Sequence, residues 1–375
     1  MTLNLQRATR STPKPPAISA FWSDTRDRVA QGRITPFISN YMSAALFGVP
    51  RGQLAAMWAK DIGSPFGEAD NREIAHVAQY YAVKHENNRL EAKQNYLDTL
   101  TDYLLGRASQ DASVDQELVQ ELLAGFEQTG TFGQPFSEIA RDLGYPRFER
   151  PEGNPFRLLA EMPLPIYITT SHHRFLEYAL ALTPEKKKEP VSEIFYWGDH
   201  LESIPSIFDE HPDWEPSVEQ PLVYHLYGLD RYPESMALTE DDFLDLLDKL
   251  VELRYQVKLA ETAMQGSSRK RRDLPAPVRT ALSGTALLTL GYSVLTWEFR
   301  VLFRGLIRTS GESRRNRNAP EGICMQIKPG ELDAIEGDSD GIRSYLEQYF
   351  KGDYFRVFWG SVESCVHDLY DLWRR

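Results

Sequence analysis

Two histidine-bearing turns carry the residues of this 375-residue chain best suited to chemistry. In one, the apolar run Leu222–Leu226 contains His225 and leads into Tyr227-Gly228. Read as a strand, the run projects His225 and Tyr227 from one face at its carboxyl end. In the other, Leu164–Thr170 (LPIYITT) runs into Ser171-His172-His173. A histidine titrates near neutrality and suits a general base, whereas a tyrosine, at about 10, does not unless its pKa is depressed. A third turn, Gly291-Tyr292-Ser293, follows the apolar run Ala286–Leu290. Glycines at 228 and 291 allow close approach of backbone to a ligand. The helix after each turn begins with free N–H groups, which favour an anion such as a phosphate.

The elements around these turns alternate between strand and helix. That pattern predicts an α/β protein, a Rossmann-like doubly wound and mostly parallel sheet with all three turns on one edge, around one crevice. Arg33–Ser39 reads as the first strand, with no glycine before Gly48 where a phosphate-cradling loop would carry one. From 51 to 149 the spacing is helical, with segments Arg72–Val83, Glu86–Leu105, Val114–Phe126 and Phe132–Tyr145. This stretch is expected to be a helical insertion, serving as a lid or an oligomer surface. Further on, Ile194–Tyr196 reads as a short strand and Glu240–Leu253 as a helix capped by Thr239. Pro277–Gly284 and Thr296–Ile307 read as helices, Ile323–Ile327 and Phe355–Trp359 as strands, and Ser344–Phe350 and Glu363–Trp373 as the last helices. Residues 1–19 read as a flexible arm ahead of one domain, 20–375.

Bulk properties narrow the function. A net charge of −12 opposes direct nucleic-acid binding. The two cysteines, Cys324 and Cys365, have no ligand-like spacing, so no metal site is expected. No apolar run reaches the ~20 residues needed to span a bilayer, and the N-terminus lacks a secretory core, so a cytoplasmic protein is expected. The basic runs Arg269–Arg272 and Arg314–Arg317 and the run Lys186–Lys188 read as solvated loops. The two basic runs also offer docking points for an acidic partner or for nucleic acid.

The segments YITTSHHRFLEYAL, VYHLYGLDRYPESMALTEDDFLDLL and LLTLGYSVLTWEFRVLFRGL, in this order and spacing, resemble the sirtuin-like domains of bacterial antiphage defence systems. The resemblance runs from about Ile166 to Ile307. It implies a Rossmann-like fold that binds NAD, with hydrolysis to ADP-ribose and nicotinamide. It also implies partners: a homo-oligomer, a HerA-type ATPase or a short Argonaute. On the residues matched, Ser39, Asn40, Thr169, Thr170, Gly228, Gly291 and Ser293 would bind NAD, while Ser171, His172, His173, His225 and Tyr227 would lie at the reacting ribose. The pattern departs in places. The family's glycine-rich phosphate loop is here Phe37-Ile38-Ser39-Asn40, its asparagine-aromatic-aspartate run is Ser171-His172-His173, its histidine before the glycine is Tyr227, and Thr296 replaces an aspartate. Those departures leave a second reading, a catalytically degenerate scaffold or a sensor of NAD or ADP-ribose.

Structural roles compete for the same residues. His225 on an apolar strand also suits a core histidine with a hydrogen-bond partner. Tyr227 would stack on the loop 231–235, and His172-His173 would cap the helix Arg174–Leu182. Glu240, Asp241 and Asp242 read as first-turn helix acids, and Trp297, Phe299 and Phe303 as core.

Overall fold

The structure, a computed structural model, describes residues 25–42, 52–147, 154–182, 188–262, 274–292, 297–307, 322–327, 339–349 and 355–375. The N-terminal arm, both basic runs, Lys186, Ser293 and Thr296 lie outside the described residues.

Among the described residues, seven strands form one all-parallel sheet: β1 Ile34–Ile38, β2 Ile166–Thr169, β3 Val191–Ile194, β4 Leu222–His225, β5 Ala286–Leu290, β6 Ile323–Ile327 and β7 Phe355–Trp359. Their order is β3-β4-β2-β1-β5-β6-β7, and every pairing is parallel. The α/β doubly wound reading therefore holds. After β1 the chain lays β2 beside it, passes to the edge as β3, fills the gap with β4, then returns to lay β5 on the other side of β1. The winding reverses between β1 and β5, the switch point at which open α/β sheets bind ligands. β1, β5 and β6 are buried along their whole length, as a parallel sheet covered on both faces requires. Alternate residues feed two cores. Ile34, Ile38 and Leu288 face α7 (Pro155–Glu161), α8 (Phe175–Ala181) and α14 (Val362–Arg374). Phe37, Leu287 and Met325 face α10 (Glu240–Thr262), α11 (Ala276–Gly284) and α12 (Trp297–Leu302).

Between β1 and β2 lie α2 (Gln53–Asp61), α3 (Ile74–Lys84), α4 (Arg89–Ala108), α5 (Gln116–Thr129) and α6 (Phe136–Asp142). Asn88 caps α4 and Asp115 caps α5 through their side-chain oxygens. The insertion docks on the start of α10. There Thr239 and Asp242 form a reciprocal capping box, Asp242 N to Thr239 Oγ1 at 3.1 Å and Thr239 N to Asp242 Oδ2 at 2.9 Å. From α4, buried Lys93 reaches Asp242 at 3.1 Å, while Arg89 reaches Asp242 at 3.3 Å and Asp245 at 2.7 Å. His76 and Gln79 of α3 meet Glu240 and Asp241. The three first-turn acids thus also hold the insertion.

Two local expectations change. Lys188 is not a solvated loop residue: its ammonium is buried and donates to the carbonyls of Ala160 and Met162, both at 2.7 Å. The third strand is Val191–Ile194, and the aromatic run Phe195-Tyr196-Trp197 is buried loop after it.

Candidate functional site

The carboxyl edge of the sheet holds the predicted residues in two groups, one on each side of β1. On the β1–β5 side, a neutral hydrogen-bond lattice ties three strand ends together. Ser39 N donates to Leu290 O at 3.0 Å and Thr170 N to Ile38 O at 2.9 Å. Asn40 N, the donor that a phosphate would use, already donates to Thr170 Oγ1 at 3.0 Å. The Thr169 hydroxyl also donates to Ile38 O, at 3.0 Å. Tyr292 closes the group: its phenol donates to Ile38 O at 3.2 Å and lies 3.3 Å from Thr170 Oγ1. Ser39, Asn40, Thr169, Thr170 and Gly291 are therefore brought together around a tyrosine that sequence reading had left without a role. Gly291 has φ +75, and a Cβ there would lie 2.8 Å from Met42 Cγ.

On the β2–β4 side the same edge buries ionisable groups. His225 is fully buried, with Nδ1 2.7 Å from Ser171 O and Nε2 2.8 Å from Glu177 Oε1. Both ring nitrogens face acceptors, so neither offers a lone pair to a substrate. Burial pushes the Glu177 carboxyl up, but His225, Arg174 and the Ser192 hydroxyl outweigh it and hold Glu177 below its ordinary value. β4 ends at His225, and Leu226-Tyr227 form a turn, so the two side chains do not share a pleat. The Tyr227 ring packs on Phe243 and His172, with centroids 5.2 and 6.4 Å away. At Gly228 (φ +79) a Cβ would lie 2.1 Å from Ser235 O. That glycine admits the protein's own backbone, not a ligand.

The adjacent histidines diverge. Ser171 Oγ accepts from His173 N at 3.1 Å and bends the turn. His172 is buried; desolvation first, then the neighbouring His173, lowers its pKa to about 3 against the pull of Asp230 and the Tyr227 backbone. Its Nδ1 has no hydrogen-bond partner. The His173 ring instead meets Asp230, Nδ1 to Oδ2 at 3.4 Å. The same Oδ2 accepts from Ser137 N at 2.7 Å and from the Ser137 hydroxyl. Ser137 Oγ in turn accepts from Arg174 N at 3.1 Å. The insertion thus supplies a residue that fixes the carboxylate orienting His173. Sequence reading missed Asp230, Ser137 and Glu177. Asp230 was visible only as the acid three residues beyond Tyr227, and Glu177 as the acid one helical turn beyond His173.

Asp230 also lines a cleft of about 480 Å³ between α4, the loop 131–136 and the loop after β4. Among the described residues no group of three or more His, Cys, Asp or Glu is placed to hold a metal ion, and no helix is long and apolar enough to cross a membrane.

Part of this edge lies in a segment that matches a family model. Residues 165–349, from β2 through α13 (Ser339–Tyr349), match the family model of the SIR2-like domain. The match and the all-parallel sheet together support a sirtuin-like domain with a Rossmann-like α/β fold. No curated protein matches the chain.

Proposed function

We propose that this chain is a sirtuin-like effector that binds NAD along the carboxyl edge of its sheet and hydrolyses it to ADP-ribose and nicotinamide within an antiphage assembly. One observation carries the chemistry: His173, at the end of β2 inside the SIR2-like segment, is oriented by a buried carboxylate, Asp230. Breaking the nicotinamide–ribose bond passes through an oxocarbenium-like state, which a general base and a nearby carboxylate assist. His173 would take the proton from the attacking water, and Asp230 would hold the ring and steady the imidazolium that results. Ser171 and His172 would line the ribose, with His225 and Tyr227 positioning the turn. Ser39, Asn40, Thr169, Thr170, Gly228, Gly291 and Ser293 would line the rest of the dinucleotide. The assembly would be a homo-oligomer, alone or with a HerA-type ATPase or a short Argonaute; the motif resemblance supports that part.

A second reading is binding without turnover, as a sensor of NAD or ADP-ribose. It is favoured by His225, both of whose nitrogens face acceptors, and by the Tyr292 phenol already seated at the switch point. Nicotinamide release by the purified protein, with and without the product of a neighbouring gene, decides between them. Turnover that disappears in His173→Ala supports hydrolysis. NAD binding by calorimetry with no turnover in any assembly establishes the sensor reading.

A further inference from the structure

We infer that the cleft between α4, the loop 131–136 and the loop after β4 binds an organic cation, a guanidinium or alkylammonium group, beside the edge proposed for NAD and sharing Asp230 with it. Three carboxylates, Glu91, Asp98 and Asp230, line it against one guanidinium, that of Arg231. The excess of negative charge repels a phosphate and draws a cation.

Two of the carboxylates are incompletely used. Asp230 is only 2% exposed, and while its Oδ2 accepts from Ser137 and His173, its buried Oδ1 accepts from no group. A buried carboxylate oxygen without a donor is costly, and a bound N–H would relieve that cost. Asp98 makes no ion pair among the described residues, and partial burial raises its carboxyl pKa. Glu91, by contrast, is already engaged by His85 at 2.9 Å and by the Asn88 amide at 3.1 Å.

The walls choose the kind of cation. Half-buried Phe132 presents aromatic surface, with the edge of Tyr81 opposite, which suits a cation with an aliphatic or planar body better than a hydrated metal ion. A volume of about 480 Å³ holds a guanidinium with its alkyl stem. Such a group comes either as a free diamine or agmatine-like molecule, or as the arginine side chain of a partner protein.

Calorimetry on the full chain with agmatine, spermidine, an acetyl-Gly-Arg-Gly-amide peptide and its citrulline counterpart tests the assignment. The charged probes should bind and the citrulline peptide should not. Asp98→Asn, which leaves the Ser137–Asp230–His173 contacts alone, should weaken binding about tenfold. Tighter binding of agmatine or spermidine points to a free ligand; tighter binding of the arginine peptide points to a partner's side chain. The assignment falls if no charged probe binds at millimolar concentration, if the citrulline peptide binds equally, or if Asp98→Asn has no effect.

Discussion

The two halves of the sheet's carboxyl edge solve the same problem with different chemistry. Between β1 and β5 the strand ends are closed by hydroxyls, amides and a phenol, all neutral and mutually hydrogen-bonded. Between β2 and β4 the same edge buries His172, His173, His225, Glu177 and Asp230, and it leaves Asp230 Oδ1 and His172 Nδ1 without partners. Neutral closure gives a rigid floor that is insensitive to pH. Buried charge gives groups that can exchange protons, at a cost met only where partners are supplied. Some of the partners come from the insertion, which docks on this half: Ser137 fixes Asp230, and Lys93 is buried against Asp242.

Breaking that docking should have the largest effect. In Lys93→Met, Asp242 keeps the N–H groups of Leu238 and Thr239 and the half-exposed Arg89, but it loses its buried ammonium. The expected loss is about 3 kcal/mol in urea unfolding, the low end for a broken buried pair. A loss below about 0.5 kcal/mol, the size of a surface pair, would mean that the insertion is held by packing alone.

The glycines of the two turns sharpen the contrast next. Both have positive φ, so alanine costs roughly 1 kcal/mol at either from backbone strain. At Gly228 the new methyl would meet the carbonyl of Ser235 at 2.1 Å, whereas at Gly291 it would meet Met42, a flexible side chain, at 2.8 Å. Gly228→Ala should therefore destabilise by about 2 kcal/mol more than Gly291→Ala, an overpacking cost the backbone cannot relieve. Equal thermal shifts in the two variants would count against it.

Proton linkage should belong to one half only. His172 has a folded-state pKa of about 3, below the ordinary 6.5, so the unfolded chain takes up a proton that the folded chain refuses. Its contribution is fully present above about pH 6.5 and is lost as the pH falls towards 3. Between pH 7 and pH 5 the loss should reach about 2 kcal/mol. His172→Gln should flatten that part of the profile, and a slope unchanged in the variant would assign the linkage elsewhere. Glu177, held low, acts further down: its contribution is present above the ordinary carboxyl value of 4.5 and is lost as the pH falls below it.

Much of the fold was legible in the sequence, because strands buried on both faces read as apolar runs. Ala286–Leu290 and Ile323–Ile327 stand as read for that reason, the half-buried edge strand Phe355–Trp359 also stands as read, and the winding followed from strand–helix alternation. The third strand was misplaced because Phe195-Tyr196-Trp197, though apolar, are buried as loop. Helix α7 escaped, being a short segment whose spacing gives little signal. The candidate site was legible as far as the turns that carry it. What each side chain does there was not, because that depends on contacts between distant segments. Ser137 meets Asp230 across 93 residues and Lys93 meets Asp242 across 149. His225 was open between core and chemistry until Glu177 and Ser171 were found at its two nitrogens.

The smallest effect tests the neutral half directly. Tyr292→Phe keeps the ring against Phe37 and Phe299, with centroids 5.7 and 5.6 Å away, and removes only the hydroxyl. Ile38 O would still accept from Thr170 N and the Thr169 hydroxyl, and Thr170 Oγ1 from Asn40 N, so no buried acceptor is stranded. The expected loss is then about 1 kcal/mol, that of one ordinary hydrogen bond, and it should be the same at pH 5 and pH 7 because no titrating group is involved. The variant also vacates the place beside Thr170 and Asn40 that the phenol holds. If the phenol stands in for a ligand group there, NAD affinity should rise rather than fall. A pH-dependent loss would show that the two halves are electrically coupled, and the division between a neutral floor and a titrating wall would fail.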